Sequence, residues 1–342
     1  MLITKKFRIK DSSSKNILRA MSNSVNFVWN YCNETSIAYV DKKNKWLSNY
    51  DLHNETSGCS KELKLSSKTI QAVCDEYVIR RKQFKKKKLN WRSSKKSLGW
   101  IPFKSDGISY KGNGIVKYNG VILKFWESQC VGKIKCGSFN EDSQGNWYIN
   151  FVVEAEEYYY KKTNKEVGVD LGLKTTATYS DGSEFIGVKA TKKYENKLAI
   201  AQRAKKKKQV KSIHTKIKNV RKDSLHKETL RLVKEFDLIV VGDVSSTKLI
   251  KTKMAKSTLD NSWGAYKSML AYKTIRFGKE MKVVNESYST VTCSHCKERT
   301  GPKGLSCLNV REWVCSSCGT SHLRDVNAAK NILSFSVSDM KR

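Results

Sequence analysis

The chain has 342 residues, of which 66 are Lys or Arg and 32 are Asp or Glu, a formal charge of +34 at neutral pH. Its 39% hydrophobic and 10% aromatic content excludes wholesale disorder and suffices for two or three domains. So large a positive surplus repels itself until a polyanion neutralises it, which points to phosphate backbones. The basic residues are spread along the chain, against a membrane-surface anchor, and no apolar run is long enough to span a bilayer. Met1-Leu-Ile-Thr-Lys-Lys-Phe7 lacks the apolar stretch of a secretion signal. Cys32, Cys59, Cys74, Cys130, Cys136 and Cys307 are scattered as reduced thiols are, so the expected location is intracellular.

In chain order, residues 1–20 and 100–160 alternate as strands do. The clearest cases are Val121-Ile-Leu-Lys-Phe-Trp126 and Asn146-Trp-Tyr-Ile-Asn-Phe-Val-Val153, each entered through a glycine turn. Between them lies a helical reading. Leu18, Met21, Val25, Phe27, Val28 and Tyr31 make an apolar face, and Thr69 to Arg81 a second helix. A small β-barrel with a helical insert is therefore expected. From Glu166 three short strands follow, Val167–Leu171, Thr175–Tyr179 and Glu184–Val188, then one long helical stretch over 191–235 with the stripe Val210, Ile213, Ile217 and Val220. Leu238-Ile-Val-Val241 reads as a strand buried on both faces. A helix around Trp263, Tyr266, Leu270 and Phe277 leads to a last strand, Met281–Asn285. This order is that of a ribonuclease-H-like fold, making the chain α+β and multidomain.

Two kinds of chemistry-bearing residue stand out. Cys293-Ser-His-Cys296 and Cys315-Ser-Ser-Cys318 have the spacing of a closed tetrahedral zinc site; His295 and Cys307 lie in the same segment but are not needed for it. Carboxylates that share Mg²⁺ ions for phosphodiester hydrolysis sit at ends of strands and helices. Asp170 lies in the apolar run Val-Asp-Leu, where a carboxylate is costly without a metal or partner. Asp325 opens an Ala-rich helix. As bland alternatives, Asp170 is a strand-end turn residue and Asp325 an N-cap.

The order Gly168-Val-Asp-Leu-Gly-Leu-Lys174, Ile239-Val-Val-Gly-Asp-Val-Ser245, the double Cys-x-x-Cys and Arg324-Asp-Val-Asn-Ala-Ala-Lys-Asn-Ile332 resembles TnpB, the transposon-encoded RNA-guided DNA nuclease related to type V CRISPR effectors and Fanzor. The resemblance covers most of the chain, densely over 166–333 and more thinly before it. It implies a wedge-like β-barrel over 1–20 and 100–160, a helical recognition lobe over 21–99, and a RuvC nuclease domain over 161–290 and 319–333. A zinc ribbon would occupy 291–318, and 334–342 would form a disordered tail. The implied activity is Mg²⁺-dependent cleavage of target DNA at a single RuvC site holding two Mg²⁺ ions, beside one structural Zn²⁺. The implied partners are a guide RNA from the transposon end and double-stranded DNA with a short flanking motif, in a nucleoid-associated or a nuclear setting according to the source.

The chain departs from the family at one point. The second acid is usually a glutamate after Ile-Val-Val, but here that position is Gly242, with Asp243 beside it. Glu286, after the next strand, stands where many relatives have a proline. Neighbouring strands lie about 4.8 Å apart, so a glutamate there can reach the same metals, a rearrangement similar to that of some TnpB branches. Asp170, Glu286 and Asp325 are the expected set, with Asp243 in reserve. A guided DNA-binding repressor that has lost cleavage is the alternative. Basic runs complete the reading. Arg80, Arg81 and Lys85, Lys86, Lys87 and Lys88, with Trp91 and Arg92, and then Arg203 with Lys205, Lys206, Lys207 and Lys208, are expected to contact phosphates and stack on bases. A solvated face is the alternative for the charges, and core packing for Trp100 and Phe103.

Overall fold

The computed structural model describes residues 2–10, 13–154, 160–244, 255–304, 307 and 309–338. The chain divides into two compact units, Met1–Glu156 and Glu157–Arg342.

In the first unit, β1 (Leu2–Arg8) is followed by helices α1 (Ser13–Lys43), α2 (Asn49–Glu55), α3 (Ser60–Leu63) and α4 (Ser67–Phe84). Strands β2 (Trp100–Lys104), β3 (Ile108–Gly112), β4 (Ile115–Tyr118), β5 (Val121–Lys124), β6 (Ile134–Glu141) and β7 (Trp147–Glu154) complete it. One antiparallel sheet has the order β1-β7-β6-β2 and a second β3-β4-β5. Alternation drives β7, whose Trp147, Ile149, Phe151 and Val153 are all buried. Phe7 packs on Phe125 with ring centroids 5.1 Å apart, Phe125 on Phe151 at 5.8 Å, Phe103 on Phe139 at 5.3 Å and Tyr118 on Phe139 at 5.0 Å, all inclined as aromatic quadrupoles prefer.

Two expectations shift here. Helix begins at Ser13, not past residue 20, because Leu18, Met21, Val25, Val28 and Cys32 form one buried stripe at helical spacing. Phe27 and Tyr31, assigned to that stripe, are exposed, since each lies one residue off its period. The second helix starts at its side-chain cap, where Ser66 accepts from the Thr69 amide.

The second unit contains β8 (Glu166–Asp170), β9 (Ala177–Tyr179), β10 (Glu184–Phe185), α5 (Ala190–Arg203), α6 (Lys207–Glu235) and β11 (Leu238–Gly242). After these come α7 (Ala255–Asn261), α8 (Trp263–Arg276), β12 (Glu280–Val284), β13 (Glu312–Val314), β14 (Ser321–Leu323) and α9 (Arg324–Ser338). The main sheet has the order β10-β9-β8-β11-β12, antiparallel across its first three strands and parallel from β8 to β12. Strand β11, central and covered on both faces, is buried from Ile239 to Gly242.

The stretch 191–235 is two helices, not one. Lys205 turns the chain with φ +52°, and α5 packs on α6 through Ala201, Ile213 and Ile217. The repulsion among Lys205–Lys208 is thereby placed at an exposed turn, where water screens it. Residues 334–338, expected in a disordered tail, continue α9, with Phe335 packed beside Ile332 and Val240. The boundary expected after Cys318 lies later, because β14 pairs with β13 and keeps residues 321–323 with the cysteine hairpin. Ser245 and residues 339–342 fall outside the described residues.

Candidate active site and metal centre

Two glycines bring the acidic residues together. A Cβ on Gly168 would run into the Ala329 carbonyl, so its absence lets α9 lie directly on β8. Asp325 sits one turn before Ala329 on the same helix face, and Asp170 two residues beyond Gly168 on the same strand face. That contact sets the two aspartates near each other at the carboxyl end of β8.

Gly242 is the second. Val241 pairs with Val169 and Gly242 with Val284, so Gly242 lies level with Asp170 one strand away. A Cβ at Gly242 would meet Glu286 Oε2 at 2.5 Å and Glu286 Cβ at 3.2 Å. The Glu286 side chain therefore fills the space over the glycine. Its backbone amide donates to Asp243 Oδ1 at 3.3 Å, and the Asp243 amide donates to the Val284 carbonyl at 2.9 Å. Asp243 is itself exposed and holds the backbone of Glu286 across from the neighbouring strand end.

The electrostatics follow from this crowding. Burial, then the charges of Asp325 and Glu286, push Asp170 up to about 7 against a partial offset from Arg324. Burial and Asp243 likewise raise Glu286, opposed by Lys267. Asp325 is held by Arg311 of the cysteine segment, Nη1 to Oδ2 at 3.1 Å. Carboxylate oxygens of like charge, with Asp170 and Glu286 raised in their affinity for protons, suit a hard cation such as Mg²⁺. Among the described residues they are spread more widely than the cysteine cluster, which is the one group of three or more metal-ligating side chains within 4.8 Å of one another.

That cluster is Cys293, Cys296, Cys315 and Cys318. Cys293 and Cys318 sulfurs are 3.7 Å apart, and those of Cys296 and Cys315 3.6 Å. A closed set of four thiols is the donor set of a structural zinc site. His295 is exposed and outside it. His322, which sequence reading passed over, is buried with Nε2 3.0 Å from Cys293 Sγ and its ring 4.7 Å from Trp313.

Two asparagines were also missed. On α9, Asn327 Nδ2 donates to the Thr292 carbonyl at 2.8 Å, and Asn331 Nδ2 to those of Thr292 at 2.6 Å and Ser289 at 2.9 Å. They tie down the segment between Glu286 and Cys293. The signal was there: two amides at i and i+4 in an Ala-rich helix are expensive to bury without partners.

The basic residues fare unevenly. Arg203 and Lys205–Lys208 are exposed, as are Lys85–Lys88 and Trp91. Arg81 is buried against Trp46 and donates to the Leu47 carbonyl; Arg80 pairs with Glu76 and Lys87 with Asp41. Arg92 directs its guanidinium to Asn26 and the Leu98 carbonyl. Phe103 is core, and Trp100 is half-buried against Trp29.

Known protein families match the chain over two segments. Residues 150–253 match a family described as a probable transposase, and residues 263–332 the Cas12f1-like TNB domain. A Streptomyces pristinaespiralis protein, provisionally named an RNA-guided DNA endonuclease, is 34% identical over 57% of this chain and 51% of its own length. A protein of Acanthamoeba polyphaga mimivirus named TnpB-like is 28% identical over 56% of this chain and 41% of its own length. The chain thus spans about half the length of the curated relatives it matches. The cryo-EM structure of a Cas12f1–sgRNA–target DNA complex shares the fold, with TM-score 0.64 at 13% identity over 94% of this chain and 83% of that one. The chain is thus similar to TnpB-like proteins over its matched segments.

Proposed function

We propose that the protein is an RNA-guided DNA endonuclease whose single site is formed by Asp170, Glu286 and Asp325 in a RuvC-type, ribonuclease-H-like domain. The sheet order and the names of the relatives support this reading, but the observation that carries it is Glu286 over Gly242. The acid absent from β11 is replaced from just beyond β12, on the side of the sheet that Asp170 and Asp325 share. A chain that had given up cleavage gains nothing from that exchange, which disfavours the guided repressor.

Two bound Mg²⁺ ions would activate a water and stabilise the leaving oxygen. The residues contribute position and charge. Asp170, from a rigid buried strand, and Asp325, from a helix packed on it, offer carboxylates that do not move with the loops. Glu286 reaches in from the side, its backbone held through Asp243. Asp243 acts as a positioning residue. The guide would select the sequence by pairing, while the protein grips backbones and checks a short flanking motif. The four cysteines would hold one structural zinc, and the domains would be those expected above, with the ribbon extended to Leu323. No helix among the described residues is long and apolar enough to cross a membrane.

The test is Mg²⁺-dependent cleavage of a guide-matched plasmid by protein coexpressed with its flanking RNA. Glu286→Gln is expected to abolish cleavage and Asp243→Asn to retain most of it. The reverse pattern rejects this assignment, and target binding without cleavage by the wild type supports the repressor.

A further inference from the structure

A cavity of about 710 Å³ opens on the first unit where α4 ends. Phe84, Lys86, Trp91 and Leu98 line it. Phe84 is 56% exposed and Trp91 46%, a costly display for two large rings on a water-facing wall. The segment that carries Trp91 has no regular structure, yet it is firmly bolted to α1. Trp29 Nε1 donates to the Asn90 carbonyl at 3.2 Å and Asn33 Nδ2 to that of Leu89 at 2.8 Å. Asn30 donates to the Arg92 carbonyl at 2.8 Å and accepts from the Arg92 amide at 2.9 Å. Arg92 Nε reaches Asn26 Oδ1 at 2.6 Å. Asn26, Trp29, Asn30 and Asn33 lie at helical spacing on one face of α1, so three residues, Leu89, Asn90 and Arg92, are clamped from one helix on either side of Trp91.

Such a ladder pre-organises what it carries. Leu89, Asn90 and Arg92 are anchored to α1, while the indole between them remains half-exposed. Lys88 sits over that ring at 5.2 Å, leaving a π-face with a cation beside it, and exposed Lys86 lines the same cavity. Aromatic faces rimmed by lysines are the chemistry of base stacking with phosphate neutralisation. Leu98, Phe84 and Trp100 give the wall apolar surface for a ring, and Glu76, Arg80 and Glu141 are among its charged members.

We infer that this cavity captures one unstacked nucleobase from a single strand, with Trp91 as stacking platform and Lys86 and Lys88 holding the flanking phosphates. Arg92 is the frame of this subsite and makes no contact with the strand. The inference deepens the proposed function, because it assigns a defined subsite to a guide or target strand, and it can fail while the cleavage site stands.

The test is fluorescence-anisotropy titration of the full chain, without added Mg²⁺, with fluorescein-labelled oligo(U) RNA and oligo(dT) DNA of about twenty nucleotides. Trp91→Ala is expected to weaken binding of at least one strand about tenfold or more, and Trp91→Phe by much less. Loss confined to one probe identifies that strand as the occupant. Because Trp91 is exposed, its replacement should leave the thermal melt unchanged. Binding of both probes within twofold of wild type in Trp91→Ala overturns the inference, as does a Trp91→Phe variant as weak as Trp91→Ala, or a wild type that binds neither probe. None of these outcomes touches cleavage, which Glu286→Gln tests separately.

Discussion

Gly242 and Glu286 are mutually dependent: the carboxylate of one occupies the space that any side chain on the other would need. The nearest atom is Oε2, the mobile end of the glutamate, so adding a methyl at 242 displaces the acid before it strains the backbone. Gly242→Ala is therefore expected to lower cleavage at least tenfold while the melting temperature stays close to wild type. The double variant Gly242→Glu/Glu286→Ala removes the conflict and returns an acid to β11; it should cleave better than Glu286→Ala alone. Plasmid cleavage and differential scanning fluorimetry on the four proteins check both statements.

The raised Asp170 gives a pH dependence of definite sign. Its folded pKa, about 7, lies above the ordinary carboxylate value of 3.8. Between these values the native metal-free protein binds the proton that the unfolded chain has lost. That contribution to stability is complete below the lower value and disappears as pH rises through about 7. A cation must displace this proton, so Mg²⁺ should raise the melting temperature more at pH 8 than at pH 6. The cleavage profile should rise through neutrality, with its midpoint moving down as Mg²⁺ increases. Equal Mg²⁺ stabilisation at both pH values would sink this account.

Zinc should be stoichiometric. Atomic absorption on protein purified without chelator is expected to find one zinc per chain, falling by more than half in Cys293→Ser or Cys315→Ser. Because ligand binding is folding free energy in such small hairpins, chelation should release the ribbon to proteolysis near 300–320. His322→Ala should keep the metal but loosen it, since the imidazole lies against Cys293 and leaves the four thiols intact.

Asn327 and Asn331 should act as a pair. Each satisfies buried carbonyls in the segment after Glu286, and stranding such groups costs about 1–3 kcal/mol. Asn331→Ala is expected to lower the melting temperature by several degrees and slow cleavage, with zinc content unchanged. Zinc lost in parallel would show that the asparagines serve the ribbon instead of the position of Glu286.

The exposed lysines at the α5–α6 turn should read out as salt dependence. Replacing Lys206, Lys207 and Lys208 together by Ala should weaken RNA binding across sequences. It should also flatten the plot of log affinity against log salt by roughly one unit for each phosphate no longer neutralised. The melting temperature should hold or rise, because those side chains repel one another and touch no core.

Local patterns were legible where a residue's role depends on its neighbours in sequence. The Cys-x-x-Cys pairs announced four thiols because two residues between cysteines already place both sulfurs on one turn. Ile239–Val241 announced a buried strand because no exposed strand tolerates three consecutive branched apolar residues. Phe27 and Tyr31 misled because composition marks them apolar, while a one-residue offset turns them to water. Arg81 and Arg92 misled in the opposite sense: charge alone does not tell a phosphate contact from a guanidinium used to fasten one segment to another.

Charge, the alternation of strand and helix and the cysteine set were determined by the order of residues, since each rests on chemistry or on periodicity over a few turns. Tertiary structure alone decided which acids meet. Asp170, Glu286 and Asp325 are far apart in sequence, and their convergence depends on strand register and on α9 lying against Gly168. The same is true of the space over Gly242, the asparagine clamp and the ladder that presents Trp91. Each is a matter of steric fit between distant segments, which a linear pattern does not contain.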